Sequence, residues 1–72
     1  MNYSIEDNQG STVACGAHQG HISSTEVVKK VRRLLTHELI EDGNYTVHLY
    51  NEWNDEISVL DINIDKGDIH WI

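Results

Sequence analysis

A single stretch of this chain, residues 23 to 42, has the period of a helix, and the segments on either side alternate with the period of two that marks strands. One helix among several short strands is a narrow choice of folds. Ser23-Ser24-Thr25-Glu26 has the form of a capping box, in which the Ser23 hydroxyl accepts from the Glu26 amide and the Glu26 carboxylate reaches back to the Ser23 amide. From there Val27, Val28, Val31, Leu34, Leu35 and Leu39 fall within one arc of roughly 140°, and Lys29, Lys30, Arg32, Arg33, Thr36 and His37 lie opposite. Gly43 tolerates the left-handed conformation found at helix ends, so the spacing predicts a helix over 24–42.

Before the helix, Tyr3 and Ile5 alternate with polar neighbours, Asp7-Asn8-Gln9-Gly10 supplies turn chemistry, and Ser11 to Cys15 forms a second short strand. Gly16 to His21 then reads as a loop. After the helix, Tyr45, Val47 and Leu49 alternate with Thr46, His48 and Tyr50, and residues 51 to 55 make a polar connection. Ile57 and Val59 point one way and Leu60, Ile62 and Ile64 the other, which calls for two partly buried faces or a bulge near Val59. Asp65-Lys66-Gly67-Asp68 is a second tight turn leading to Ile69-His70-Trp71-Ile72, with Trp71 expected in the core. The expected fold is α+β in the order β-β-α-β-β-β: an antiparallel sheet of four to five short strands with one amphipathic helix packed on one face.

A chain of 72 residues has room for one domain, 1–72, with a core that rarely supplies more than roughly 3–5 kcal/mol. Cys15 stands alone, so no internal disulfide forms, and a reducing cytoplasm is the expected setting. The first residues lack the basic start and apolar run of a signal peptide, and no apolar stretch approaches the roughly 20 residues that span a bilayer. A strand at each end of the sequence leaves sheet edges to satisfy, from which a homodimer is an expectation.

Charge divides the chain. Up to residue 40, Glu6, Asp7, Glu26 and Glu38 balance Lys29, Lys30, Arg32 and Arg33. The net charge of −7 therefore arises after residue 40, where Glu41, Asp42, Glu52, Asp55, Glu56, Asp61, Asp65 and Asp68 face only Lys66. Such a surface repels phosphate backbones and favours cationic partners.

Several clusters are candidate sites. Lys29, Lys30, Arg32 and Arg33 make a basic helix face suited to phosphate, though no aromatic residue lies beside them on the helix. Ile40 falls on that polar face next to Arg33 and His37, a small apolar anchor with a polar rim. Glu38 falls in the middle of the apolar arc. Either the helix has lifted from the sheet by its last turn, which is the expected arrangement, or the carboxylate pairs with a donor such as His48, Tyr45 or Tyr50. Cys15, His18 and His21 are ligand-type side chains in one loop, without the distant second pair of common zinc modules. Gly16 and Gly20 lack the Lys and hydroxyl of a phosphate loop. Trp53, among Glu52, Asp55 and Glu56, either covers the core edge or projects as an anchor.

No catalytic constellation and no cofactor motif stands out, so the expectation is a non-enzymatic regulatory or inhibitory protein that docks onto another protein, one with a basic surface. Its contacts would be Glu52, Trp53, Asp55 and Glu56, together with Arg33, His37 and Ile40. Nucleic-acid binding by the basic helix face, and metal binding by Cys15, His18 and His21, are the alternatives. No membrane role is expected.

Overall fold

The computed structural model describes residues 1 to 72. Five strands form one antiparallel sheet: β1 (Asn2–Asp7), β2 (Thr12–Ala17), β3 (Gly43–Tyr50), β4 (Glu56–Asp65) and β5 (Asp68–Trp71), with helix α1 (Ser24–Thr36) between β2 and β3. The chain order β-β-α-β-β-β is the one the sequence predicts. Across the sheet the order is β2-β1-β3-β4-β5, so the segment containing α1 carries the chain over β1 and sets β3 on its far side.

Alternation decides which face is core. Ile5 pairs with Val47, Tyr3 with Leu49 and Tyr45 with Ile62, which sets one apolar row against α1. The ten buried residues are all apolar or aromatic: Ile5, Tyr45, Val47, Leu49, Ile62 and Ile64 from the sheet, Val27 and Val31 from α1, and Ile22 and Ile40 flanking the helix. Leu34 and Leu35 pack against this cluster, as the predicted apolar arc requires. In β4 the register shifts opposite Leu49 and Tyr50, near Glu56. The irregularity falls at Ile57; from Ser58 onward the ladder is regular, so simple alternation sends Leu60, Ile62 and Ile64 towards α1 and Val59 to the other face, and Ile57 and Val59 are each 50 % exposed.

The helix is shorter than 24–42. It opens as expected, with the Ser23 hydroxyl accepting from the Glu26 amide at 3.3 Å, whereas the Glu26 carboxylate lies 3.7 Å from Lys29 Nζ. It closes at Thr36 because Glu38 adopts a left-handed backbone, φ 57°, with the Glu38 amide donating to the Leu35 carbonyl and the Leu39 amide to the Leu34 carbonyl. These are the two bonds of a Schellman closure, formed around a glutamate in place of the usual glycine. Gly43 accordingly belongs to β3 and closes nothing.

Four expectations change, the first two of them because of this boundary. Ile40 does not face outward from the helix: it lies beyond it and is only 8 % exposed, folded into the core. Glu38 is in water, but because the helix has ended rather than lifted. Trp71 is 45 % exposed and so is not a core residue; it pairs with Ile62 on the outermost strand. Gly16 and Ala17 extend β2 rather than opening a loop. No helix is long and apolar enough to cross a membrane.

Candidate functional site

The largest exposed apolar side chains are Leu39, Trp53, Ile57, Val59, Trp71 and Ile72, and all but Leu39 come from residues 53 to 72. The most acidic part of the chain therefore also exposes apolar groups, on both faces of the sheet: Val59 lies opposite His48 on the face away from α1, and Trp71 opposite Ile62 on the other. Trp53 stands at the turn between β3 and β4, 74 % exposed. That turn is ordered from within: Asn51 Oδ1 accepts from the amides of Trp53 and Asp55, both at 2.9 Å, and Asn2 Nδ2 donates to Asn54 Oδ1 at 3.0 Å. An indole on a fixed turn loses little freedom when it binds, which suits it to anchoring. Of the two arrangements open for Trp53, the structure shows projection.

On the face of the sheet away from α1, β1, β3 and β4 bring Glu6, His48 and Glu56 together. His48 Nδ1 lies 2.5 Å from Glu56 Oε1, and Nε2 lies 3.5 Å from Glu6 Oε2. The hydrogen bond to Glu56 raises the His48 pKa above its ordinary value; burial opposes this, and the charges of Glu6 and Glu56 add to it. Tyr50 stacks on the imidazole at 6.4 Å between centroids. An imidazole set between two carboxylates from neighbouring strands, which favour its charged form, ties three strands together. Glu56 is therefore partly engaged within the fold, unlike Glu52 and Asp55, which are exposed at the turn.

The sequence does not disclose this trio. Glu6 and Glu56 come from strands on either side of β3, and only the register of the ladders sets them beside His48. The one signal available is that His48 alternates with the apolar residues Val47 and Leu49 and so lies on the uncovered face.

The other candidates separate. Lys30 Nζ sits 4.9 Å above the Tyr3 ring and Lys29 is paired with Glu26, which leaves Arg32 and Arg33 as the free cations of the helix. Arg33 is exposed in the last turn and His37 caps the helix, but with Ile40 buried the three make no shared patch. Cys15 is exposed in β2 opposite Ser4, His18 exchanges backbone hydrogen bonds with Met1 at the end of that pairing, and His21 is exposed beyond it. No three His, Cys, Asp or Glu side chains are arranged to hold a metal ion. Cys15, His18 and His21 are not brought together as a set of ligands: Cys15 lies within β2, His18 just beyond its end, and His21 further along the chain.

An open cleft of about 470 Å³ lies at the C-terminal end of α1, with Leu35, Ile40, Tyr45 and Val13 below, Leu39 at one side, and Asp7, Glu38 and Glu41 around it. The Tyr45 hydroxyl donates to the Glu41 carbonyl at 2.8 Å and accepts from the Glu41 amide at 3.3 Å, which fixes the loop that forms one wall. Comparison of the chain with protein-family models, with curated proteins and with solved structures gave no match.

Proposed function

We propose that this chain is a non-catalytic docking module that binds another protein through β4, β5 and the turn carrying Trp53. The observation that supports this reading is the exposure of Trp53 at the turn and of Ile57 and Val59 on the strand that follows it, with Glu52, Asp55 and Asp61 on the same stretch; Val59, opposite His48, lies on the face away from α1, and Trp71, opposite Ile62, is exposed on the other face. Apolar anchors within a charged rim are the usual anatomy of a protein contact. The partner this surface fits has an apolar centre bordered by Lys or Arg. The single exposed thiol, Cys15, suits a reducing compartment, so the cytoplasm is the proposed location.

The test is retention of proteins from native lysate on the immobilised chain, with and without nuclease, compared with Trp53→Ala and with Val59→Asp. A protein held by the native chain should be lost from Val59→Asp, and Trp53→Ala should weaken its binding by about 2 kcal/mol, roughly thirtyfold. Equal retention by all three chains refutes this choice of surface. Retention that nuclease abolishes moves the function to Arg32 and Arg33 on the helix.

A further inference from the structure

We infer that the cleft at the C-terminal end of α1 receives a cationic side chain, of the arginine or lysine type, from a partner protein. This surface is independent of the one formed by β4 and β5. Its base is apolar, from Leu35, Ile40 and Tyr45, and Leu39, 66 % exposed, gives it an uncovered apolar wall. Its rim carries Asp7, Glu38 and Glu41 and no cation.

None of these three carboxylates is in an ion pair. The pairs in the molecule are Lys29 with Glu26, and His48 with Glu6 and with Glu56. Asp7 uses Oδ1 to hold the amides of Gln9 and Ser11 and keeps its charge at the rim. The C-terminal end of α1 adds the negative end of the helix dipole to the same place.

Two requirements then select the occupant. The base and Leu39 call for an apolar group of some length, and the rim calls for positive charge at its outer end. A purely apolar side chain would strip water from unpaired carboxylates, and a bare cation would leave Leu39, the uncovered apolar wall, wet. An aliphatic stem ending in a cation meets both requirements, with the stem over the apolar base and the charge at the rim. A cleft of about 470 Å³ is in the range that takes one such side chain with its flanking residues.

The experiment titrates the isotope-labelled full chain with an end-blocked Gly-Leu-Arg-Leu-Gly peptide and with its Gln counterpart, following backbone amide shifts. The Arg peptide should move the amides of Leu35, Leu39, Ile40 and Glu41, with less effect as salt is raised, and the Gln peptide should not. The double variant Glu38→Gln with Glu41→Gln should weaken the Arg peptide about five- to tenfold, from two exposed ion pairs. Glu52→Gln with Asp55→Asn makes the same change in charge beyond the far end of β3, about 25 Å away, and should change binding by less than about twofold. Absence of shifts at the cleft, equal binding of the Gln peptide, or equal loss in the two double variants each overturns the inference. The amide spectrum of each variant also reports whether it is folded.

Discussion

Glu38→Gly should stabilise this protein. Glu38 holds φ 57°, where the Cβ of an L-residue meets its own carbonyl and costs about 1–2 kcal/mol relative to glycine. Glycine returns about 0.4–1 kcal/mol of that by gaining freedom in the unfolded chain, which leaves a net backbone gain of about 0.5–1 kcal/mol. The two closing hydrogen bonds, from Glu38 to Leu35 and from Leu39 to Leu34, involve only the main chain and survive the change. Loss of the carboxylate at a helix C-terminus is itself favourable, so the comparison that isolates the backbone is Glu38→Gly against Glu38→Gln. At about 4–8 °C per kcal/mol for a domain of this size, the glycine variant should melt about 2–8 °C above the glutamine variant. Its urea midpoint should rise with the slope unchanged, because the same surface is exposed on unfolding. If the two variants melt together, Glu38 is not in the left-handed region and the account of where α1 ends is wrong.

Gly16 sits under the Tyr3 ring, and an added Cβ would lie 3.0 Å from the Tyr3 hydroxyl oxygen and 3.2 Å from ring carbons. Gly16→Val should displace that ring from beneath Lys30 and destabilise the fold by about 1–3 kcal/mol in urea unfolding; a neutral result would place Tyr3 elsewhere. Ile62 is fully buried, and Ile62→Ala removes about 2–5 kcal/mol from a fold that has roughly 3–5. That variant should be largely unfolded by far-ultraviolet circular dichroism, and a native-like midpoint would contradict the assigned core. His48 has its pKa raised above 6.5, so the stability it contributes is fully present below pH 6.5 and is lost as pH rises through the folded value. The urea midpoint should therefore fall on the alkaline side of pH 6.5, and His48→Gln should flatten that slope. An imidazole titrating at or below 6.5 by nuclear magnetic resonance would show that Glu6 and Glu56 are not beside it.

The elements that were legible in the sequence are those with their own period or their own punctuation. The period of β3 is visible in Tyr45, Val47 and Leu49, all three of which are buried. The turn at residues 65 to 68 announces itself through Lys66-Gly67, and both of those residues have positive φ. The end of α1 could not be read in the same way. Leu39 extends the apolar arc of the helix by one more turn, and Gly43 offers itself as the stop, so helical period and glycine agree on the wrong boundary. What ends the helix is the burial of Ile40, which has to leave the helical path to reach the core beside Tyr45. That is a tertiary demand, and a local pattern does not contain it. The same holds for Glu6, His48 and Glu56, whose meeting depends on the ladders on both sides of β3.

The exposed surface follows from the size of the helix. A helix of 13 residues is about 20 Å long and about 10 Å across, while strands lie about 4.8 Å apart, so α1 can cover two or three strands of the five. It lies over the middle of the sheet, where Ile5, Val47 and Ile62 of β1, β3 and β4 are buried to within 1 %. β5 lies beyond its reach, and the far face of the sheet has no cover. Thr46, Asp61, Asn44 and Asn63 meet water on that face with polar groups bonded to one another across the strands. Ile57 and Val59 do not follow that pattern, although strands tolerate threonine or tyrosine at such positions equally well. Apolar groups kept where the fold provides no cover are more stable when something else covers them, and it is this difference between neighbouring positions on β4, more than the total charge, on which the proposal of a partner rests.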